Sequence, residues 1–218
     1  MLFRSDAIAR RHRAAVSALV TRGRTRTGKD VDALLDELGS TLQGIRLLRY
    51  GPPRALDMTA SFGERLSATI VAAHLSRLHP SVYVDARRFV RTDEQFTSAA
   101  VDFAATNRQA RRVVGPLLRG RRAPIPVVTG FIGATRDGQT TTIGRNGSDY
   151  SAAIVGAALG ARSIEIWTDV DGVMSADPRL VPSAFVLPRM TYEEAMELSY
   201  FGAKVIHSAT IAPAVARR

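Results

Sequence analysis

Apolar residues recur at helical spacing over the first third of the chain and switch to strand spacing near residue 81. Residues 6–20 carry Ile8, Val16, Leu19 and Val20 among alanines and arginines, an imperfect amphipathic helix. Residues 30–49 form a clearer one, with Val31, Leu34, Leu35, Leu38, Leu42 and Ile45 on one face. The polar, glycine-containing residues 21–29 between them read as a flexible surface link. Gly51-Pro52-Pro53 closes the second helix, and a third is expected over residues 64–78, through Leu66, Ile70, Val71 and Leu75.

Beyond this point the period shortens. Residues 81–85 are a β-type run and residues 87–92 a second candidate. Helical spacing returns over 106–119 and breaks at Gly115-Pro116. Residues 125–129 read as a buried strand ending at Gly130, and residues 140–143 as another ending at Gly144. An alanine-rich helix follows over 148–159, then a strand over 163–168. Thr191-Tyr192-Glu193-Glu194 has capping-box spacing and opens a helix that Gly202 stops. Strands alternating with helices of this length predict an α/β fold with a largely parallel sheet. No repeat, low-complexity tract or linker interrupts the pattern, so residues 1–218 read as one domain.

A chain of 218 residues can bury a full core without staples, and it contains no cysteine. Disulfides, zinc ribbons, iron–sulfur ligation and a catalytic thiol are therefore excluded. The net charge is +10, and lysine contributes only Lys29 and Lys204 to the basic set. Such a balance points to nucleic acid, a membrane surface or anionic metabolites. Residues 1–139 hold 23 basic and 12 acidic side chains and residues 140–218 hold 7 and 8, so the excess lies in the first part. A GC-rich coding sequence also produces arginine in place of lysine. The chain lacks the aromatic stripe and motifs of a nucleic-acid binder, an apolar run long enough to cross a bilayer, and a secretory h-region. The expected location is the cytoplasm, with neither nucleic acid nor membrane as partner.

Gly23-Arg24-Thr25-Arg26-Thr27-Gly28-Lys29-Asp30 nearly matches a P-loop. Asp30 replaces the magnesium-binding hydroxyl, and the preceding residues read as helix rather than strand, so the match is rejected. The strongest segment is Gly144-Arg145-Asn146-Gly147-Ser148-Asp149, between a β-run and a helix of small residues. A strand, glycine turn and helix start place free amides and a positive dipole end where an anion can sit. Arg145 can clamp a carboxylate or phosphate there, whereas the plain alternative is a tight turn capped by Ser148. Asp149 is costly beside an anion unless it orients a cation. Thr168-Asp169-Val170-Asp171-Gly172 lies off the end of an expected strand, where Asp169 and Asp171 can meet a ribose, a base or hydrated magnesium, or simply turn the chain. Lys204 follows a glycine turn and is a phosphate candidate, and Glu64 at a helix start can receive an ammonium. The four histidines show no metal spacing and no partner for a nucleophilic serine.

Taken together, Gly63-Glu64-Arg65-Leu66-Ser67, Thr129-Gly130-Phe131-Ile132-Gly133, residues 144–153, residues 168–179 and residues 192–207 resemble the catalytic domain of aspartate kinase, in the amino-acid kinase family. Residues 144–151 and 193–205 resemble especially the kinase part of bifunctional aspartokinase–homoserine dehydrogenases. The resemblance implies a three-layer α/β/α sandwich around a mainly parallel sheet. It implies transfer of the ATP γ-phosphoryl group, with Mg2+ held through the phosphates, to the side-chain carboxylate of L-aspartate in lysine, threonine and methionine synthesis. Asp149 and Arg145 would be catalytic, and Glu64, Arg145 and Ser148 would hold aspartate. Gly144, Gly147, Thr168, Asp169, Met174, Arg179 and Lys204 would contact the nucleotide. The full-length family protein would be a homo-oligomer.

Three features depart from the family. The Lys-Phe-Gly-Gly phosphate loop with its catalytic lysine is not in this sequence, Met174 stands where an aromatic is common, and Ser208 where proline is usual. The expectation is an incomplete kinase domain, without its first strand or a regulatory domain, with little turnover alone. The alternatives are another kinase of the same family, or a degenerate copy acting as a binding or assembly module.

Overall fold

Helices start earlier and run longer than the apolar periodicity predicts. The computed structural model describes residues 2–200 and 208–215. Its first three helices are α1 (Leu2–Leu19), α2 (Arg24–Leu48) and α3 (Pro53–Leu75). The expected link over 21–29 shrinks to a break at Gly23, whose φ of 69° is left-handed, and residues 24–29 form the first turns of α2. Gly51-Pro52-Pro53 does not merely end α2. Pro53 occupies the first helical position, where its fixed φ and missing N–H cost nothing, so α3 starts eleven residues before its expected start.

These helices share one apolar cluster: Val16 and Val20 from α1, Val31, Leu35 and Leu38 from α2, and Phe62, Leu66 and Ile70 from α3. Leu34 and Leu42 pack at its margin. Val71, expected inward, is 42% exposed because the buried stripe of α3 runs through 62, 66 and 70, and residue 71 turns off it. Arg65 is buried beside this stripe, its guanidinium 4.7 Å from the Phe62 ring centroid. Its two terminal nitrogens donate to Glu37 at 2.8 and 3.4 Å, joining α3 to α2.

Two compact units divide the chain, Met1–Gly147 and Ser148–Arg218. In the first, β1 (Ser81–Val84) pairs in parallel with β2 (Ile125–Val128), Val84 opposite Val128. Between them α4 (Phe103–Val113) is capped by Asp102, whose carboxylate accepts from the Ala105 N–H at 2.9 Å. A 3₁₀ turn over Gly115–Leu118 replaces the rest of the expected helix, as Gly115-Pro116 requires. The candidate strand over 87–92 is realised only at its end. Ala86–Arg88 is a 3₁₀ turn, and Arg91 and Thr92 bridge to Ala134 and Val101. The hairpin of β3 (Ile132–Ala134) and β4 (Thr140–Thr142) sets Ile132 opposite Thr142. β3 is too short to show a period in the sequence. A Cβ at Gly133 would lie 2.9 Å from Val90 Cγ1, so a side chain is excluded there.

In the second unit α5 (Gly147–Leu159) buries Ala153, Ile154 and Ala158. A Cβ at Gly156 would lie 2.7 Å from Ile164 Cγ1, so Ile164 packs directly on the helix. The strand expected over 163–168 does not form, and Trp167 is 89% exposed. An extended segment becomes a strand only in a ladder, and no described segment pairs with this one. Pairing occurs further on, where Leu187 N–H donates to Val173 O and Ser175 N–H to Phe185 O, both at 2.8 Å. The capping box forms as its spacing predicts: Thr191 N–H donates to Glu194 at 2.7 Å and Glu194 N–H to Thr191 Oγ1 at 3.1 Å. It opens α6 (Tyr192–Tyr200), and α7 (Ser208–Val215) follows. Gly202, the expected stop, lies outside the described residues. No described helix is long and apolar enough to cross a membrane.

Glu37→Ala leaves the buried Arg65 guanidinium without its carboxylate. The expected loss is about 1–2 kcal/mol in urea unfolding, moderated because Glu37 itself is half exposed.

Candidate functional site

The glycine turn after β4 is built by two different constraints. Gly144 has φ 82°, a conformation that side chains disfavour. Gly147 is fixed by contact: a Cβ there would lie 2.5 Å from Phe131 Cδ2 and 3.2 Å from Phe131 Cα. Asn146 between them is also left-handed, at φ 53°. The turn therefore exposes Arg145 and leads into α5, whose first turn carries Ser148 and Asp149. Among the described residues the side chains of Arg145, Ser148 and Asp149 form no hydrogen bond or ion pair. An arginine with no carboxylate partner is ready for an anion from outside.

Glu64 reaches the same turn through one corner of backbone. It is half-buried on α3, and the Gly130 N–H donates to its carboxylate. Burial raises its pKa above the usual carboxylate range, while the Gly130 bond acts in the opposite direction. The next residue, Phe131, has φ 64° and packs on Gly147, and its carbonyl accepts from Ile143 N–H at 3.1 Å. A non-glycine residue held left-handed is strained, and such strain persists only where the surroundings enforce it. The Gly130–Phe131 corner thus brings Glu64, Gly144, Arg145 and Gly147 into one neighbourhood of the first unit.

A further carboxylate belongs here that the sequence reading does not single out. Asp57 on α3 is 1% exposed and accepts from Thr142 N–H at 3.0 Å, Thr142 Oγ1 at 2.7 Å and Thr97 N–H at 2.8 Å. The sequence offers little signal for it, because residue 57 precedes the expected start of the helix at 64 and falls off the apolar stripe through Leu66 and Ile70.

The remaining candidates lie along a loop of the second unit. Thr168 and Asp169 are exposed, with Thr168 Oγ1 donating to Asp169 at 3.2 Å. Met174 is half-buried in the pairing with Val186. Arg179 is bound by Asp177 at 2.7 and 3.0 Å, and that hydrogen-bonded carboxylate raises the guanidinium pKa. An exposed pair of this kind is weak and screened by solvent, so a phosphate can take the arginine from Asp177. Lys204 lies outside the described residues. The rejected P-loop lacks its context, since residues 24–30 are helical and follow a helix. His12, His74 and His79 each place Nδ1 against a backbone carbonyl, and His207 lies outside the described residues. Among the described residues no three His, Cys, Asp or Glu side chains cluster as a metal site.

A family model described as "Amino acid kinase family" matches residues 5–218. A bifunctional aspartokinase/homoserine dehydrogenase of Buchnera aphidicola is 39% identical over 180 residues, 82% of this chain and 21% of that protein. Chloroplastic aspartokinase 2 of Arabidopsis thaliana is 38% identical, over 84% of this chain and 34% of that protein. The chain therefore spans about a fifth to a third of the length of these relatives. The crystal structure of Escherichia coli aspartokinase III in complex with aspartate and ADP superposes with a TM-score of 0.89 at 34% identity, covering 99% of this chain and 47% of that one.

Gly147→Ala is expected to cost about 1–3 kcal/mol in urea unfolding, because Phe131 must move. Glu64→Gln tests the buried acid. Wild type loses stability as pH rises from the ordinary carboxylate value through the raised one, and the variant does not. The melting-temperature difference, variant minus wild type, should grow more positive across that interval and be flat below it.

Proposed function

The chain belongs to the amino acid kinase family, and from that premise we propose that it is the substrate-binding core of an aspartate kinase. The observation that carries this reading is the glycine turn. Its shape leaves the Arg145 guanidinium without a partner among the described residues, beside a helix start, and Glu64 is tied to the same corner. An amino acid with a second carboxylate matches that set. Its ammonium meets Glu64, and a carboxylate meets Arg145 and Ser148. Neutral or cationic amino acids lack the second carboxylate and would forgo the charge-assisted bond to Arg145.

The reaction requires placement and charge neutralisation rather than covalent catalysis. An oxygen of the aspartate side chain forms a bond to the γ-phosphorus of ATP, the bridging β–γ bond breaks, and its electron pair leaves on ADP. Arg145 holds the attacking carboxylate in line and Asp149 organises the transfer site. Gly144 and Gly147 let backbone amides approach the phosphates, while Thr168, Asp169, Met174, Arg179 and Lys204 receive the nucleotide. The residues suit magnesium carried on the nucleotide phosphates, with the exposed carboxylate of Asp169 able to receive its bound waters. Magnesium supplies further neutralisation of the phosphate charge. We also read the protein as cytoplasmic and the whole enzyme as a homo-oligomer.

Ligand binding is the suitable test, because the resemblance assigns the catalytic lysine to a Lys-Phe-Gly-Gly loop that this sequence does not contain. L-Aspartate and magnesium ADP should each raise the melting temperature of the chain. Arg145→Ala should weaken L-aspartate about tenfold or more in calorimetric titration. A shift with another amino acid and none with L-aspartate would reassign the acceptor. No shift with any acceptor or nucleotide would mean a non-catalytic module.

A further inference from the structure

We propose that Asp57 is a positioning residue for the L-aspartate site, holding the glycine turn in the shape that presents Arg145. The proposal rests on the aspartate kinase reading. It starts from an energetic oddity. A carboxylate in the interior is costly, and residue 57 lies on a second buried face of α3, with Ser61 and Ala68, away from the Phe62, Leu66 and Ile70 stripe. What the carboxylate provides instead is three directed acceptor contacts, and all three partners flank the turn.

Thr142 is the last residue of β4, two before Gly144, and both its N–H and its hydroxyl donate to Asp57. Thr97 donates the third bond from a left-handed backbone, φ 72°. The segment after Thr97 then closes on the turn from its other side. Ala99 N–H donates to Thr142 O at 2.9 Å, and Ser98 Oγ lies 3.4 Å from where a Gly144 Cβ would be. Asp57 and Glu64 are seven residues apart, two helical turns, so they sit on one face of α3. Asp57 grips the strand that enters the turn. Glu64, through Gly130 and Phe131, grips the residue that leaves it. The rigid helix spaces these two grips, and Arg145 lies between them in sequence.

The pattern of acceptors suggests how to separate positioning from simple stability. One Asp57 oxygen takes both N–H donors and the other takes the hydroxyl. In Asp57→Asn the amide carbonyl can keep both N–H bonds while the amide nitrogen donates to Thr142 Oγ1, which reverses its role. Asp57→Leu keeps the forked shape in a larger side chain and removes every acceptor. Thr142→Val removes the hydroxyl bond alone. Thr168, Asp169 and Arg179 share none of these bonds.

Calorimetric titration of the folded variants should show L-aspartate weakened about tenfold or more by Asp57→Leu and about threefold by Thr142→Val, with Asp57→Asn within about threefold of wild type. Magnesium ADP, which Thr168, Asp169 and Arg179 also hold, should weaken by a clearly smaller factor than L-aspartate in all three, the residual loss coming from the Gly144 and Gly147 amides. Amide exchange at residues 143–147 should accelerate about tenfold in Asp57→Leu, with the α1–α2 core unchanged. Unaltered L-aspartate affinity in folded Asp57→Leu would overturn the proposal. Parallel loss of both ligands, or of protection everywhere, would do the same. If Asp57→Leu does not fold, Thr142→Val decides by the same measurements. If the wild-type chain binds no L-aspartate, the functional reading falls, and exchange at 143–147 alone decides whether Asp57 holds the turn.

Discussion

A carboxylate buried to 1% exposure is tolerable only when donors surround it, and the three that reach Asp57 tie the helical layer to the hairpin at Thr142 and to the segment at Thr97. Much of the first unit has to be arranged before those bonds can form. α3 must begin at Pro53, so that residue 57 is already helical and faces inward. The Phe62, Leu66 and Ile70 stripe must dock on α1 and α2 to fix the rotation of α3. β3 and β4 must pair in the observed register, or Thr142 would present the wrong edge. Apolar burial supplies most of the driving force, but it is non-directional and tolerates small slips. The carboxylate does not tolerate them, and it turns a packed helix into a located one.

The arginines that make up nearly all of the basic set divide by what each side chain touches. Most sit on the surface, but Arg65 is stacked on Phe62 and forked onto Glu37. Arg87 is forked onto Asp85 and reaches Thr140 Oγ1 at 3.0 Å. These arginines act as internal ties whose planar fork lysine could not reproduce. Arg145 differs from both. It sits on an exposed turn with no carboxylate partner among the described residues, which is the condition for receiving one from a ligand. The net charge of +10 is therefore a poor guide to partners, because it sums cations with three distinct physical roles.

Most of the helices and three of the four named strands were legible because their apolar period or β-type composition runs over enough residues to be read. The stripe through Val31, Leu35 and Leu38 and the capping box at Thr191 are examples where sequence and structure agree. The failures share a cause. Residues 163–168 have strand composition but no ladder among the described residues, and strand formation depends on a neighbour that composition cannot name. The early start of α3 was hidden because Pro52-Pro53 can end one helix or open the next. β3 was hidden by its length of three residues.

What the sequence alone determined is local and chemical: which segments are amphipathic, that two glycines three apart follow a β-run, and which residue types carry charge beside them. It also carried the family resemblance, since ordered motifs survive in one dimension. What only the tertiary structure decided is long-range. It showed that Gly147 is glycine because Phe131 lies against it, and that Phe131 is held there by a corner whose other amide belongs to Glu64. It showed that Asp57, an unremarked acid in a helix, reaches a threonine eighty-five residues away. Such pairings depend on how layers dock. A buried polar contact is specified by two distant positions at once, and a pattern read along the chain can see only one of them at a time.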